Sequence, residues 1–285
     1  MTAPQRFGRF EVLSQLGQGG QGAVLRARDP ASGQDVALKL LLRVDAKNER
    51  RFRQEAQVLA GLEHPGIVRV VDSGVEGGVP WLAMALVEGE SLKARVEHGG
   101  PLAPAEAARI VVDLARAVAH CHERGIVHRD LKPENVLLER ASGRPVLVDF
   151  GLLRRDAEVF GALSIDARSR LSKTGELRGT PAYMAPEQVN PGKFGQVGPA
   201  TDVYALGGVL CFLLTGEPAY AADSLPGLMV KILEGERVDV RERRPDVPKE
   251  LADVCARALA RLPDGRRVVS AGADGDVIVW DLRAE

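Results

Sequence analysis

The chain has 285 residues, 45% hydrophobic and 27% charged, with a formal net charge of −1. That is enough apolar material for a large core, in one bilobal domain or two small ones. The near-zero charge offers no basic excess for a nucleic-acid partner, and the three well-separated cysteines, Cys121, Cys211 and Cys255, read as buried free thiols rather than a disulfide framework or a zinc site.

In chain order, residues 10–41 read as strand, glycine turn, strand, turn and strand, the last being an apolar run over 35–42 with one lysine inside it. Residues 46–61 place Phe52, Ala56 and Leu59 on one helical face. Residues 67–73 and 80–87 read as two more strands, which predicts a five-stranded antiparallel sheet with one helix. From Ser91 onward helices dominate. Pro104 sits at the start of one, where its missing N–H costs nothing, and the stripe of Ala107, Ala108, Val111, Leu114, Ala115 and Val118 carries it to Glu123. Residues 136–138 and 145–148 look like a short hairpin, and 152–180 are polar and irregular. Helices resume near Pro199, Leu225 and Glu250; the apolar run 203–214 reads as a buried helix, too short to span a bilayer. The cluster Arg241, Arg243, Arg244 reads as a solvated loop. A sheet-rich front and a helix-rich back predict an α+β chain with two lobes and a cleft between them. The first residues lack an apolar signal core, so no membrane segment in this chain and a cytoplasmic location are expected.

Gly17-Gln18-Gly19-Gly20-Gln21-Gly22-Ala23-Val24 fits G-x-G-x-x-G-x-V. Dinucleotide-binding folds share this spacing but open a helix after it, whereas residues 23–27 continue as a strand. The glycines therefore read as a hairpin lid whose backbone N–H groups approach phosphate oxygens, with a plain hairpin turn as the alternative. Val36-Ala37-Leu38-Lys39 puts a lysine in an apolar strand, where it is costly to bury unpaired. Glu55, beside the apolar face of the next helix, is the expected partner, with Glu49 the alternative.

The run His128-Arg129-Asp130-Leu131-Lys132-Pro133-Glu134-Asn135, followed by Asp149-Phe150-Gly151, gathers a candidate base, a cation and two metal ligands in one span. Phosphoryl transfer asks a protein for little beyond positioning and charge neutralisation. On these motifs residues 7–266 resemble the protein kinase superfamily at its serine/threonine-type, bacterial end. The resemblance implies a bilobal fold: a small sheet lobe over about 7–85, a hinge at 85–88 and a larger helical lobe over 89–266. It implies ATP-dependent phosphorylation of serine or threonine hydroxyls on protein substrates, with Mg2+, or alternatively Mn2+, as the ion.

By the same resemblance, Leu16, Gly17, Gly19, Gly22, Val24, Ala37, Lys39, Glu55, Met84, Val87 and Leu137 would bind ATP. Met84 would gate the rear of the pocket and residues 85–87 would form the hinge. Asp130 would accept or orient the substrate hydroxyl, Lys132 would add positive charge, and Asn135 and Asp149 would hold the metal. His128 and Phe150 would pack and align the site beside Gly151. Thr180, in the run 179–187 that resembles the end of an activation segment, would hydrogen-bond near Asp130 and Lys132. Glu187 would pair with Arg266, and Asp202 would cap the loop that carries Asp130. Arg129 would take an anion from a phosphorylated Ser172 or Thr174, through self-association and trans-autophosphorylation; a plain solvated loop is the alternative.

Residues 267–285 depart from that pattern. Two strands around Asp274-Gly275, ending in Trp280-Asp281, resemble a fragment of a WD-repeat blade, a reading that competes for Arg266. One partial blade cannot close a propeller, so the tail reads as a short β-hairpin. A catalytically weak nucleotide-binding scaffold is the alternative function; a propeller-type interaction protein is a third, resting on the tail alone. The presence of Lys39, Asp130, Asn135 and Asp149 together favours the enzyme.

Overall fold

The computed structural model describes residues 6–19, 22–41, 46–150 and 181–260. Gly151, Ser172, Thr174, Thr180, Arg266 and the tail 267–285 lie outside the described residues. The chain divides into two compact units, with the boundary between Gly89 and Glu90.

The first unit is an antiparallel sheet with one helix. Its strands are β1 (Arg6–Phe7), β2 (Phe10–Gly19), β3 (Gly22–Asp29), β4 (Gln34–Leu41), β5 (Val70–Glu76) and β6 (Val79–Ala85), in the order β1-β2-β3-β4-β6-β5. The expected five strands are therefore joined by a sixth, the two-residue β1, which pairs Phe7 with Phe10 and is too short to show a two-residue period. Alternation sorts β4 into two faces. Val36, Leu38 and Leu40 join Phe10, Ala27 and Ala83 in a buried core, with Trp81 edge-on to Phe10 at 5.1 Å. Val24 and Leu82 pair with Lys39, and Met84 with Ala37, so these five positions share the opposite face. Helix α1 (Ala46–Ala60) packs on β5 and buries Phe52, Ala56 and Leu59.

The β5 strand begins at Val70, later than the apolar run suggested: Ile67 and Val68 are buried but precede the ladder. Arg9 spans the strand ends, bonding Asp29 at 3.0 Å and Asp72 at 2.6 Å. Burial pushes the Asp29 carboxyl up, but Arg9, the Ala31 N–H and Ser32 outweigh it and hold it below the usual carboxylate range.

The second unit is largely helical. It holds α2 (Leu92–Gly99), α3 (Pro104–His122), α4 (Pro186–Val189), α5 (Pro191–Phe194), α6 (Pro199–Thr215), α7 (Leu225–Glu234), α8 (Val240–Arg243) and α9 (Lys249–Ala258). Ser91 caps α2, its hydroxyl accepting the Ala94 N–H at 3.1 Å. The expected hairpin is β8 (Val136–Glu139) with β9 (Pro145–Leu147), and β7 (Gly89–Ser91) adds a third strand beside β8.

Helix α6 is buried on every side from Thr201 to Leu214, as its apolar composition requires. It packs between α3 and α9. At Gly207 the α9 chain comes so close that an added Cβ would sit 2.7 Å from the Ala258 Cβ, so this crossing needs glycine. Cys121, Cys211 and Cys255 are buried free thiols. The arginine cluster is only partly the solvated loop its composition suggested: Arg241 and Arg243 are exposed but lie on the short helix α8, and Arg244 Nη1 donates to the Leu214 carbonyl at 2.9 Å and to that of Leu102. The Leu214 carbonyl, in the last turn of α6, has no intrahelical donor, and the guanidinium supplies one. Among the described residues no helix is long and apolar enough to cross a membrane.

Candidate active site

The loop between α3 and β8 carries Asp130, and α6 holds the loop from below. Asp202, in the first turn of α6, is fully buried. It accepts the backbone N–H of His128 and of Arg129 at 2.8 Å each, and His122 Nε2, at the end of α3, lies 2.8 Å from its Oδ2. A carboxylate with several donors can be buried without the desolvation penalty of an unpaired charge.

The loop needs that grip. Arg129 has φ +65°, the one non-glycine residue with positive φ among the described residues. Such a conformation costs about 1–3 kcal/mol and persists where the surroundings over-determine it. Here the N–H of Arg129 goes to Asp202, and its carbonyl accepts from Gln188 Nε2 at 2.9 Å.

Turning the chain at Arg129 sets Asp130 in a buried polar cluster. Lys132 Nζ and Asn135 Nδ2 each lie 3.1 Å from Asp130 Oδ2, and Asn135 Nδ2 also donates to the Asp130 carbonyl at 2.8 Å. Asn135 closes a 3-10 turn, Pro133–Asn135, whose proline suits the first position. The Asp130 N–H reaches back to His128 Nδ1 at 3.3 Å. Burial lowers the His128 pKa against the opposing charges of Asp202, Asp130 and Asp149, so the ring is a neutral packing element.

Asp149 follows β9 and is stitched to this loop on both sides. The Val148 N–H donates to the Asn135 carbonyl at 3.1 Å, and the Phe150 ring lies 4.8 Å from the His128 ring. Sequence neighbours of Asp149 are thus fastened to residues on either side of Asp130. Asn135, with its Nδ2 engaged by Asp130, offers its amide oxygen, and Asp149 offers a carboxylate. Such hard oxygen donors suit Mg2+ or Mn2+ better than a soft metal. Among the described residues no group of three His, Cys, Asp or Glu forms a cage. Two side chains are the share a protein gives Mg2+ when phosphates supply the rest.

A small hollow beside Asp130 is lined by Leu131, Tyr183, Met184, Gln188 and Ala205, among others. Burial, with the charge of Glu134 nearby, pushes the Tyr183 phenol well above its usual range, so it stays protonated. Glu187 is buried and accepts from Thr201 Oγ1 at 2.9 Å. The partner expected for it, Arg266, lies outside the described residues.

In the first unit, Lys39 is buried on the face it shares with Val24, Ala37, Leu82 and Met84, and Glu55 is half-buried on α1. Gly17 pairs with Val24 and Gly19 with Gly22 at the tip of the β2–β3 hairpin; Leu16 is half-exposed beside them. A Cβ on Gly22 would stand 1.8 Å from the Leu40 carbonyl oxygen, so the close strand approach there requires glycine. Val87 follows β6 and is half-buried; Leu137 lies on β8 of the second unit, paired with Val146.

Sequence reasoning missed His122, Gln188 and Thr201. Gln188 alone left a trace: three residues after Ala185 at the start of a helix, it occupies the place of a capping glutamine.

Comparison with known proteins identifies the family and the fold. The family described as "Protein kinase domain" matches residues 10–271. The chain is 37% identical over 286 residues to the serine/threonine-protein kinase PknB of Mycolicibacterium smegmatis, covering 98% of this chain and 44% of that protein. It is 40% identical over 267 residues to the DNA damage-responsive serine/threonine-protein kinase RqkA of Deinococcus radiodurans, covering 91% of this chain and 37% of that protein. The chain thus spans less than half the length of these curated relatives. The crystal structure of the Mycobacterium tuberculosis PknI kinase domain superposes with a TM-score of 0.70 at 30% identity, covering 93% of each chain.

Proposed function

The chain belongs to the protein kinase domain family, and from that membership we propose that it transfers the terminal phosphoryl group of ATP to serine or threonine hydroxyls of protein substrates. The observation that carries the proposal is the cluster in which Lys132 and Asn135 both bond the Asp130 carboxylate, in a loop held by Asp202. Asp130 orients the attacking hydroxyl and accepts its proton. Lys132 keeps a positive charge within 3.1 Å of that carboxylate, where negative charge builds on the transferring group. Asn135 and Asp149 would hold a divalent ion, Mg2+ foremost and Mn2+ as the alternative; when bound, it neutralises phosphate oxygens.

On the sheet unit, Lys39 pairs with phosphate, and Gly17, Gly19 and Gly22 bring backbone N–H groups close to it. Leu16, Val24, Ala37, Met84, Val87 and Leu137 supply apolar surface for the base, and Glu55 orients Lys39. Thr180 would hydrogen-bond near Asp130, and Arg129 would take an anion from Ser172 or Thr174, phosphorylated in trans between two copies of the chain. A cytoplasmic location, and a partial WD-like hairpin after a kinase domain ending near residue 266, belong to the same proposal.

The test is transfer of label from γ-labelled ATP. The parent is expected to label itself or a generic protein substrate, and Asp149→Ala to lose that transfer. Equal labelling of parent and variant would overturn the proposal, and nucleotide binding without transfer by the parent would favour a scaffold. Mass spectrometry that finds no phosphate over residues 152–180 of active protein would remove the trans-phosphorylation step.

A further inference from the structure

Gln188 is buried, and both ends of its amide are engaged. Its Oε1 accepts the Ala185 N–H at 3.0 Å, the reach-back bond of a helix cap. Its Nε2 donates at 2.9 Å to the carbonyl of Arg129, 59 residues away, in the left-handed turn that aims Asp130. A cap needs the oxygen alone. The nitrogen bond is a second, tertiary connection: it engages the Arg129 carbonyl, while Asp202 takes the N–H of the same residue.

We propose that Gln188 is a positioning residue for phosphoryl transfer: its Nε2 bond to the Arg129 carbonyl holds the strained turn, and so Asp130, in the reactive arrangement. The chain segment leading into α4 and the loop bearing Asp130 are thereby aligned by one amide. This inference rests on the kinase reading of the site and adds a residue that its motifs do not assign.

The amide needs one acceptor and one donor, and this supplies a test that separates the tertiary bond from the cap. Gln188→Glu keeps the acceptor for Ala185, but its ionised carboxylate faces the Arg129 carbonyl with lone pairs. Once protonated, the introduced carboxyl can donate again. Burial and a neighbouring carbonyl both favour that neutral form. Turnover of Gln188→Glu is therefore expected to fall roughly tenfold or more below the parent at about pH 8 and to recover relative to the parent toward about pH 6. Gln188→Met is expected to be low at both pH values, with no recovery. KM for ATP should stay within about twofold of the parent in both, because a misaligned loop lowers turnover rather than ground-state binding.

A Gln188→Glu to parent ratio that is flat with pH, or Gln188→Met turnover equal to the parent, would overturn the inference. If Gln188→Met does not fold, the pH response of Gln188→Glu decides alone. If the parent transfers no phosphate, the function above fails, and amide hydrogen exchange decides the positioning role. The His128 and Arg129 N–H groups should then exchange faster in Gln188→Glu than in the parent at about pH 8, and converge at lower pH; equal exchange throughout overturns it.

Discussion

In the sheet unit, Val24, Ala37, Lys39 and Met84 stand on one face because they occupy paired positions in three adjacent strands. In the helical unit, Asp130 stands where it does because Asp202, Gln188 and His122, 59 to 80 residues from their partners in sequence, hold the loop around it. The first kind of placement comes from a repeating backbone geometry that any alternating sequence adopts. The second comes from individual hydrogen bonds onto a strained residue, each of which can be lost by one substitution. The sheet should therefore tolerate local damage, and the loop should not.

The sharpest way to break this contrast is Asp202→Ala. It leaves the N–H groups of His128 and Arg129 and the ring of His122 without their shared acceptor. Urea denaturation should show a loss of about 3–5 kcal/mol. A loss below that of a surface substitution would mean that the loop is held by something else.

Gly22→Ala tests the sheet side. Its Cβ would meet the Leu40 carbonyl, so β3 and β4 must part at that end. The expected loss is about 1–3 kcal/mol, with hydrogen exchange at the Asp202-bound amides unchanged. Faster exchange there would show that the two regions do not respond independently.

His128→Asn probes the loop by pH. Burial holds the His128 pKa below its unfolded value, so below about pH 6.5 the unfolded chain binds the extra proton and stability falls as pH falls. One group contributes a slope of at most about 1.4 kcal/mol per pH unit, ending below the folded pKa. The asparagine amide can still face the Asp130 N–H but does not titrate, so the stability profile of the variant should be flatter between about pH 7 and pH 5. Identical slopes would remove His128 as a buried neutral element.

Ser91→Ala is the smallest change and calibrates the others. It deletes one local cap bond on α2, at an expected cost of about 1 kcal/mol, and should leave phosphoryl transfer as in the parent.

Much of this was legible before any coordinates. Lys39 declared itself as a charge in an apolar strand, and Asp130, Asn135 and Asp149 as polar groups at fixed loop spacing. The β1 strand did not, because two residues carry no period. The continuous ladder of β5 starts at Val70 rather than at Ile67, because Ile67 makes only an isolated bridge and Val68 is apolar through burial alone. Arg244 looked like any surface arginine, since the carbonyls of Leu102 and Leu214 that it bonds are far from it in sequence.

The sequence by itself determined most of the longer strands and helices, the face on which Lys39 lies and the chemical types gathered around residue 130, because period and spacing are local properties of the chain. Only the tertiary structure decided that Arg129 takes a left-handed turn, and that Asp202 and Gln188 hold it there. The reason is physical: a backbone conformation that is unfavourable on its own is stable only where distant groups supply the hydrogen bonds that offset its cost.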